Sequence, residues 1–155
     1  MIKHYSDLDE HLAVGSYPHA PEHMSSLARD HGVTTVICLQ SDDDLASRGL
    51  QWPILWQFYT RLGVAVTRVP IVDFDKKDLV SHLDAAVAAV HAGVESGGKV
   101  YVHCTAGLNR SPTVIIGYLV KHRDMALDAA VDWMMERHDC VPYPDVVETW
   151  LQRAS

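Results

Sequence analysis

In the stretch from Val102 to Pro112, VHCTAGLNRSP, a thiol at Cys104 stands six positions before a guanidinium at Arg110. Gly107 lies between them, and Ser111 and Pro112 follow. If a strand ends at Cys104 and a helix begins near Arg110, residues 105–109 must curl tightly, with Gly107 free to adopt a positive φ. Pro112 suits the first helical turn, where its missing amide would have had no partner. Such a turn aims successive amides inward, and with the helix N-terminus they form a concave nest for an anion of phosphate size. Arg110 adds a bidentate fork to two of the anion's oxygens.

The same positive field acts on the thiol at the bottom of the nest, favouring thiolate and lowering its pKa below the free value of about 8.5. The predicted chemistry is in-line attack of Cys104 on a phosphate monoester, giving a phosphocysteine. Thr105, Ala106, Gly107, Leu108, Asn109 and Arg110 bind the phosphate and stabilise charge during transfer, and Ser111 hydrogen-bonds the departing thiolate in the second step. A packing thiol beside a surface arginine is the reading without chemistry. Strand, small residues, glycine, hydroxyl and helix-starting proline together weigh against it. A module that binds phosphorylated partners without turnover is the alternative of a different class.

The leaving oxygen needs a proton. The segment VPIVDFDKKDL supplies Asp73, Asp75 and Asp78, which chemistry alone leaves unranked because a general acid is chosen by reach before pKa. Asp75 or Asp78 alternatively caps a helix beginning near Leu79.

Elements must bring these groups together. HLAVGSYP, VTTVICLQ, VAVTRVPI and KVYVHC are short β-branched runs bounded by turn residues and read as strands. Apolar positions Leu79, Leu83, Ala86, Val87, Val90 and Val94 repeat at helical spacing up to Gly97-Gly98. Further helices are expected near Pro21 to His31, Leu50 to Leu62, Ser111 to His122, Leu127 to Arg137 and Pro144 to Arg153. The alternation predicts an α/β sheet covered on both faces, with ligands at the carboxyl ends of its strands. KVYVHC then delivers Cys104 to that edge. The acidic SDDDL reads as a solvated loop, and no repeat or linker is visible.

The chain's 155 residues, 48% hydrophobic, suit one domain over 1–155. A net charge of -7 argues against nucleic acid or an anionic membrane as partner, so an anionic substrate must meet a local positive site. With no signal-like N-terminus and no long apolar run, a cytoplasmic protein is expected. Three widely spaced cysteines, Cys38, Cys104 and Cys140, predict free thiols rather than a disulfide framework. Ten histidines show no metal-ligand spacing, so no metal is expected and most are placed on the surface or in loops.

The motif HCxxGxxR[ST], met by His103, Cys104, Gly107, Arg110 and Ser111, resembles that of the cysteine-dependent dual-specificity phosphatases. The resemblance implies a mixed, mostly parallel sheet of about five strands flanked by helices, a two-step phosphocysteine mechanism, and neither metal nor other cofactor. Carried over by position, it makes Asp73 the general acid. It also implies substrates that include phosphotyrosine and phosphoserine or phosphothreonine in proteins.

Val14-Gly15-Ser16, Cys38-Leu39-Gln40, Asp73-Phe74-Asp75 and Val102 to Gly107 are similar to segments of the plant glucan phosphatases. That likeness makes Phe74 a ring for stacking on a glucan and Cys38 a possible redox partner of Cys104. Cys38 otherwise packs as a small hydrophobe. The chain departs from those enzymes at Asn109, where they carry glycine, and at Ser47 or Arg48 and Val141, where they carry aromatics. Phosphoprotein therefore leads phosphoglucan as the expected substrate. The Asn109-Arg110 pair is also similar to the RNA 5'-triphosphatase branch, which the net charge disfavours. The loop brings no lysine of the kind found in phosphoinositide phosphatases.

Overall fold

A computed structural model describes residues 2–153. Its centre is a sheet of five strands: β1 (Tyr5–Asp7), β2 (Leu12–Gly15), β3 (Val33–Cys38), β4 (Ala65–Arg68) and β5 (Lys99–His103). They lie in the order β1-β2-β5-β3-β4, with β1 antiparallel to β2 and every other pair parallel. The mixed, mostly parallel α/β sheet expected from the sequence is the one observed. The three-residue β1 is an addition to the four strands legible from β-branched runs; it is too short to carry a periodic signal.

Among the described residues seven helices complete the fold: α1 (Pro21–Arg29), α2 (Asp42–Ser47), α3 (Trp52–Arg61), α4 (Lys76–Glu95), α5 (Arg110–His122), α6 (Leu127–Arg137) and α7 (Pro144–Arg153). Period-two alternation in the strands separates two cores. Val14, Ile37, Val100 and Val102 face α4 to α7, whereas Ala13, Val36 and Tyr101 face α1 and α3. Every residue of α5 from Arg110 to Leu119 is buried, the pattern of a helix enclosed on all sides. Each fully buried Leu, Ile or Val here contributes roughly 1.5–3 kcal/mol.

Local chemistry sets the helix starts. Proline opens α1 and stands in the first turn of α3. Asp75 caps α4, its Oδ1 accepting from the Asp78 amide at 3.0 Å. The segment SDDDL is a helix rather than the expected solvated loop. Ser41 Oγ accepts from the Asp44 amide and Asp44 Oδ2 accepts from the Ser41 amide, a reciprocal capping box that starts α2.

The connection from β2 to β3 runs through α1 on one face, and that from β4 to β5 through α4 on the other. The winding therefore reverses beside β5, and such a reversal leaves a crevice at the carboxyl ends of the strands. Cys104 is the first residue beyond β5.

Candidate active site

Between β5 and α5, residues 104–109 form one turn. Cys104 is 2% exposed. Its Sγ accepts from the Gly107 amide at 3.3 Å and lies 3.3 Å from Ser111 Oγ. Gly107 holds φ at +78°, and a Cβ there would sit 2.5 Å from the Gly15 carbonyl carbon. Both the dihedral and the packing against β2 demand glycine.

The turn's carbonyls are fixed on its outer side, each by a different part of the fold. His103 Nδ1 bonds the Cys104 carbonyl at 3.0 Å, the Tyr17 amide donates to the Thr105 carbonyl at 3.1 Å, and His138 Nε2 donates to the Gly107 carbonyl at 2.8 Å. The Val141 amide donates to the Leu108 carbonyl at 2.8 Å, and the Thr113 amide and hydroxyl both donate to the Asn109 carbonyl. In a planar trans peptide the amide hydrogen points opposite the carbonyl oxygen. Anchoring these carbonyls outward therefore turns the amides of Thr105, Ala106, Leu108, Asn109 and Arg110 toward the interior of the turn. This is the nest expected from the sequence.

Arg110 is a charged side chain only 2% exposed. Nη1 donates to Asp44 Oδ2 at 2.6 Å and to the Ile71 carbonyl at 2.8 Å. Nε lies 3.3 Å from Asp73 Oδ1, close enough for an ion pair but out of line for a hydrogen bond, so this buried donor lacks a hydrogen-bond partner among the described residues. Burial would raise the Asp44 pKa. The Arg110 bond and the Ser41 amide and hydroxyl outweigh that and hold it below the usual carboxylate range.

The three candidate aspartates separate clearly. Asp75 is committed to the α4 cap, and Asp78 accepts from the Val72 amide at 2.8 Å. Asp73 alone faces Arg110; its Oδ1 also accepts from the Phe74 amide at 3.1 Å. Phe74 stands at the tip of this turn with φ of +60° and is 80% exposed. Asn109 donates from Nδ2 to the Val141 carbonyl at 2.7 Å, so it braces the turn against the segment before α7.

Cys38 lies opposite His103 in the β3–β5 register, one residue short of Cys104. It is buried, its thiol donates to Gln40 Oε1 at 3.8 Å, and burial pushes its pKa up to about 11. All three cysteines are free, and Cys140 is buried.

Sequence reasoning missed Asp44, His138 and Gln40. Two of the ten histidines are buried, each 3% exposed: His103 at the end of β5 and His138 just past α6. His138 bridges Ser6 Oγ on β1 and the Gly107 carbonyl, and Gln40 Nε2 donates to Thr105 Oγ1 at 3.1 Å. Only Ser41-x-x-Asp44, a capping-box spacing with Asp in place of Glu, left a trace in the sequence.

His103 makes the site sensitive to acid. Burial, reinforced by the Arg110 charge and opposed by the Cys104 carbonyl, lowers its pKa from 6.5 to about 4. The unfolded chain therefore binds this proton first, so the stability contribution is intact above pH 6.5 and is lost as pH falls toward 4, by roughly 3 kcal/mol. Urea unfolding at steps across that window should show a shallower acid loss for His103→Asn than for the parent; parallel profiles would contradict the assignment.

With this geometry in place, similarity to known proteins is informative. The family described as "Dual specificity phosphatase, catalytic domain" matches residues 13–148. The phosphoglucan phosphatase DSP4 of Castanea sativa is 33% identical over 147 residues, which cover 94% of this chain and 39% of that protein. The chain thus spans well under two thirds of this relative's length. The crystal structure of human DUSP28 superimposes with a TM-score of 0.72 at 30% identity, covering 99% of this chain and 93% of the other. A structure of PTPMT1 in complex with PI(5)P shares the fold, with a TM-score of 0.78 at 22% identity, covering 97% and 99%. The turn closed by Cys104 and Arg110 and the match over residues 13–148 lead to one conclusion: this chain belongs to the dual-specificity phosphatase family.

Proposed function

We propose that the chain hydrolyses phosphomonoesters in proteins, phosphotyrosine and phosphoserine or phosphothreonine alike, through a phosphocysteine on Cys104. The observation that carries this reading is Cys104 Sγ at the floor of an amide-lined turn, with a buried arginine beside it and an aspartate at the rim. The inward amides and Arg110 Nε are donors suited to the equatorial oxygens of a transferring phosphoryl group. Sulfur attacks phosphorus as the bond to the leaving oxygen breaks, and Asp73 gives that oxygen its proton. Water then attacks the phosphocysteine, Asp73 takes the water's proton, and the thiolate departs with the Ser111 hydroxyl donating to it. Asp44 positions Arg110 by holding Nη1, which leaves the other side of the guanidinium for phosphate.

A second reading, hydrolysis of phosphoglucan, is supported by the chestnut relative and by the exposed Phe74 ring beside Asp73. Arg48 and Val141 elsewhere on the rim offer no further ring for a sugar face, which ranks it second. We further propose that a peroxide, itself reduced as its O–O bond breaks, oxidises the Cys104 thiolate to sulfenic acid, and that Cys38 traps it, its thiol displacing the sulfenic hydroxyl as water to form a disulfide that a dithiol reduces.

Four measurements test these statements. With chelator present, the parent should hydrolyse p-nitrophenyl phosphate and Cys104→Ser should not. Asp73→Ala should lose about 10²–10⁴-fold in rate on a poor leaving group with inorganic phosphate affinity kept, and Asp75→Ala should not. Loss in Asp75→Ala instead would reverse the acid assignment. Asp44→Ala removes the oxygen that holds both Ser41 and Arg110 Nη1, so Arg110 loses its fixed position and inhibition by inorganic phosphate should weaken about tenfold. After peroxide treatment, a Cys38→Ser variant should recover less activity with dithiothreitol than the parent, and peptide mapping of the oxidised parent should show the Cys38–Cys104 crosslink.

A further inference from the structure

Beside the turn, at Thr105 and Ala106, lies a second cavity. It measures about 320 Å³ and is lined by Thr105 and Ala106 of the turn, with Lys3, His4, Tyr17 and Arg48 around them and no carboxylate in its wall. In a chain of net charge -7, two full cations on a wall without a carboxylate make this cavity locally positive, although Lys3 also borders an adjoining cavity that Glu22 and Asp30 line. Neither Lys3 nor Arg48 has an ion-pair partner among the described residues, so both charges are available to a ligand.

The walls are tethered to the turn. The Tyr17 amide donates to the Thr105 carbonyl, the Ser16 amide donates to the His4 carbonyl at 2.8 Å, and the His4 amide donates to Ser16 Oγ at 3.2 Å. Arg48 is held with its guanidinium carbon 5.7 Å from the Tyr17 ring centroid, a cation–π contact that orders the charge before any ligand arrives. Asp44 stands in the first turn of α2 and Arg48 is the residue that ends it. The same short helix thus serves Arg110 with its first turn and the cavity with its end.

We propose that this cavity is a specificity subsite for an acidic side chain flanking the phosphorylated residue of a peptide substrate. The proposal rests on the phosphoprotein reading above. Cavity and amide nest share the wall formed by Thr105 and Ala106, and an extended chain advances about 3.3–3.6 Å per residue, so a carboxylate one or two residues from the phosphoresidue reaches the second cavity when the phosphate is in the first. Lys3 and Arg48 receive that carboxylate, the guanidinium through its donor fork.

Three phosphopeptides that differ only in a flanking Glu, Gln or Lys test it. The parent should prefer Glu to Gln about three- to tenfold in kcat/KM, with the preference shrinking as NaCl rises. Arg48→Glu and Lys3→Glu should each reverse the order toward the Lys peptide while leaving p-nitrophenyl phosphate turnover unchanged. Fluorescence anisotropy with Cys104→Ser should give the same ranking in binding. If the parent hydrolyses nothing, the phosphatase reading fails and the anisotropy ranking alone decides the subsite. Equal binding and turnover of the three peptides, or a Glu preference that survives both charge reversals, overturns it.

Discussion

The arrangement depends on peptide units held with their oxygens outward. Five carbonyls of residues 104–109 are each tied to a donor that the turn itself does not supply on its inner side: His103, Tyr17, His138, Val141 and Thr113. Those donors come from the end of β5, the segment after β2, the end of α6, the segment before α7, and α5. A carbonyl released from such an anchor can rotate inward, where its oxygen would repel an anion. Because five separate attachments would have to fail, the conformation is over-determined, which is how a turn with glycine at positive φ keeps one shape.

A concave ring of amide dipoles is attractive to anions, and Arg110 adds a full charge that burial would otherwise make costly. Asp44 offsets that charge from one side and Asp73 approaches from the other. The difference between them is structural. Asp44 is fixed by its own role in starting α2, whereas Asp73 sits in an exposed turn whose tip is Phe74. Such a division suits a permanent counter-ion on one side and a group that trades protons on the other.

The sheet explains why these groups meet at all. β5 lies between β2 and β3, so Gly15, Cys38 and Cys104 arrive side by side at one edge although they are far apart in sequence. A Cβ on Gly107 would strike the Gly15 backbone, and one on Gly15 would strike the His4 carbonyl, so β2 and the turn pack without room for either side chain. α5, enclosed by α4, α6, α7 and the sheet, gives Arg110 and Ser111 a rigid base.

The sequence by itself determined four of the five strands and most of the helices, because period-two and helical apolar spacing each survive in one dimension. It also determined Cys104, Gly107, Arg110 and Ser111 as one local unit, since a strand, a tight turn and a helix start are contiguous in the chain. Tertiary structure decided what contiguity cannot express. Only packing separates Asp73 from Asp75 and Asp78, because reach to Arg110 is a distance in space. The short acidic run around Asp44 looks solvated in sequence, since a six-residue helix has too few turns to show an apolar face; its cap and its bond to Arg110 give it a purpose. His138 reads as one of ten histidines until folding brings it under the Gly107 carbonyl, because a hydrogen bond across 31 residues leaves no periodic trace.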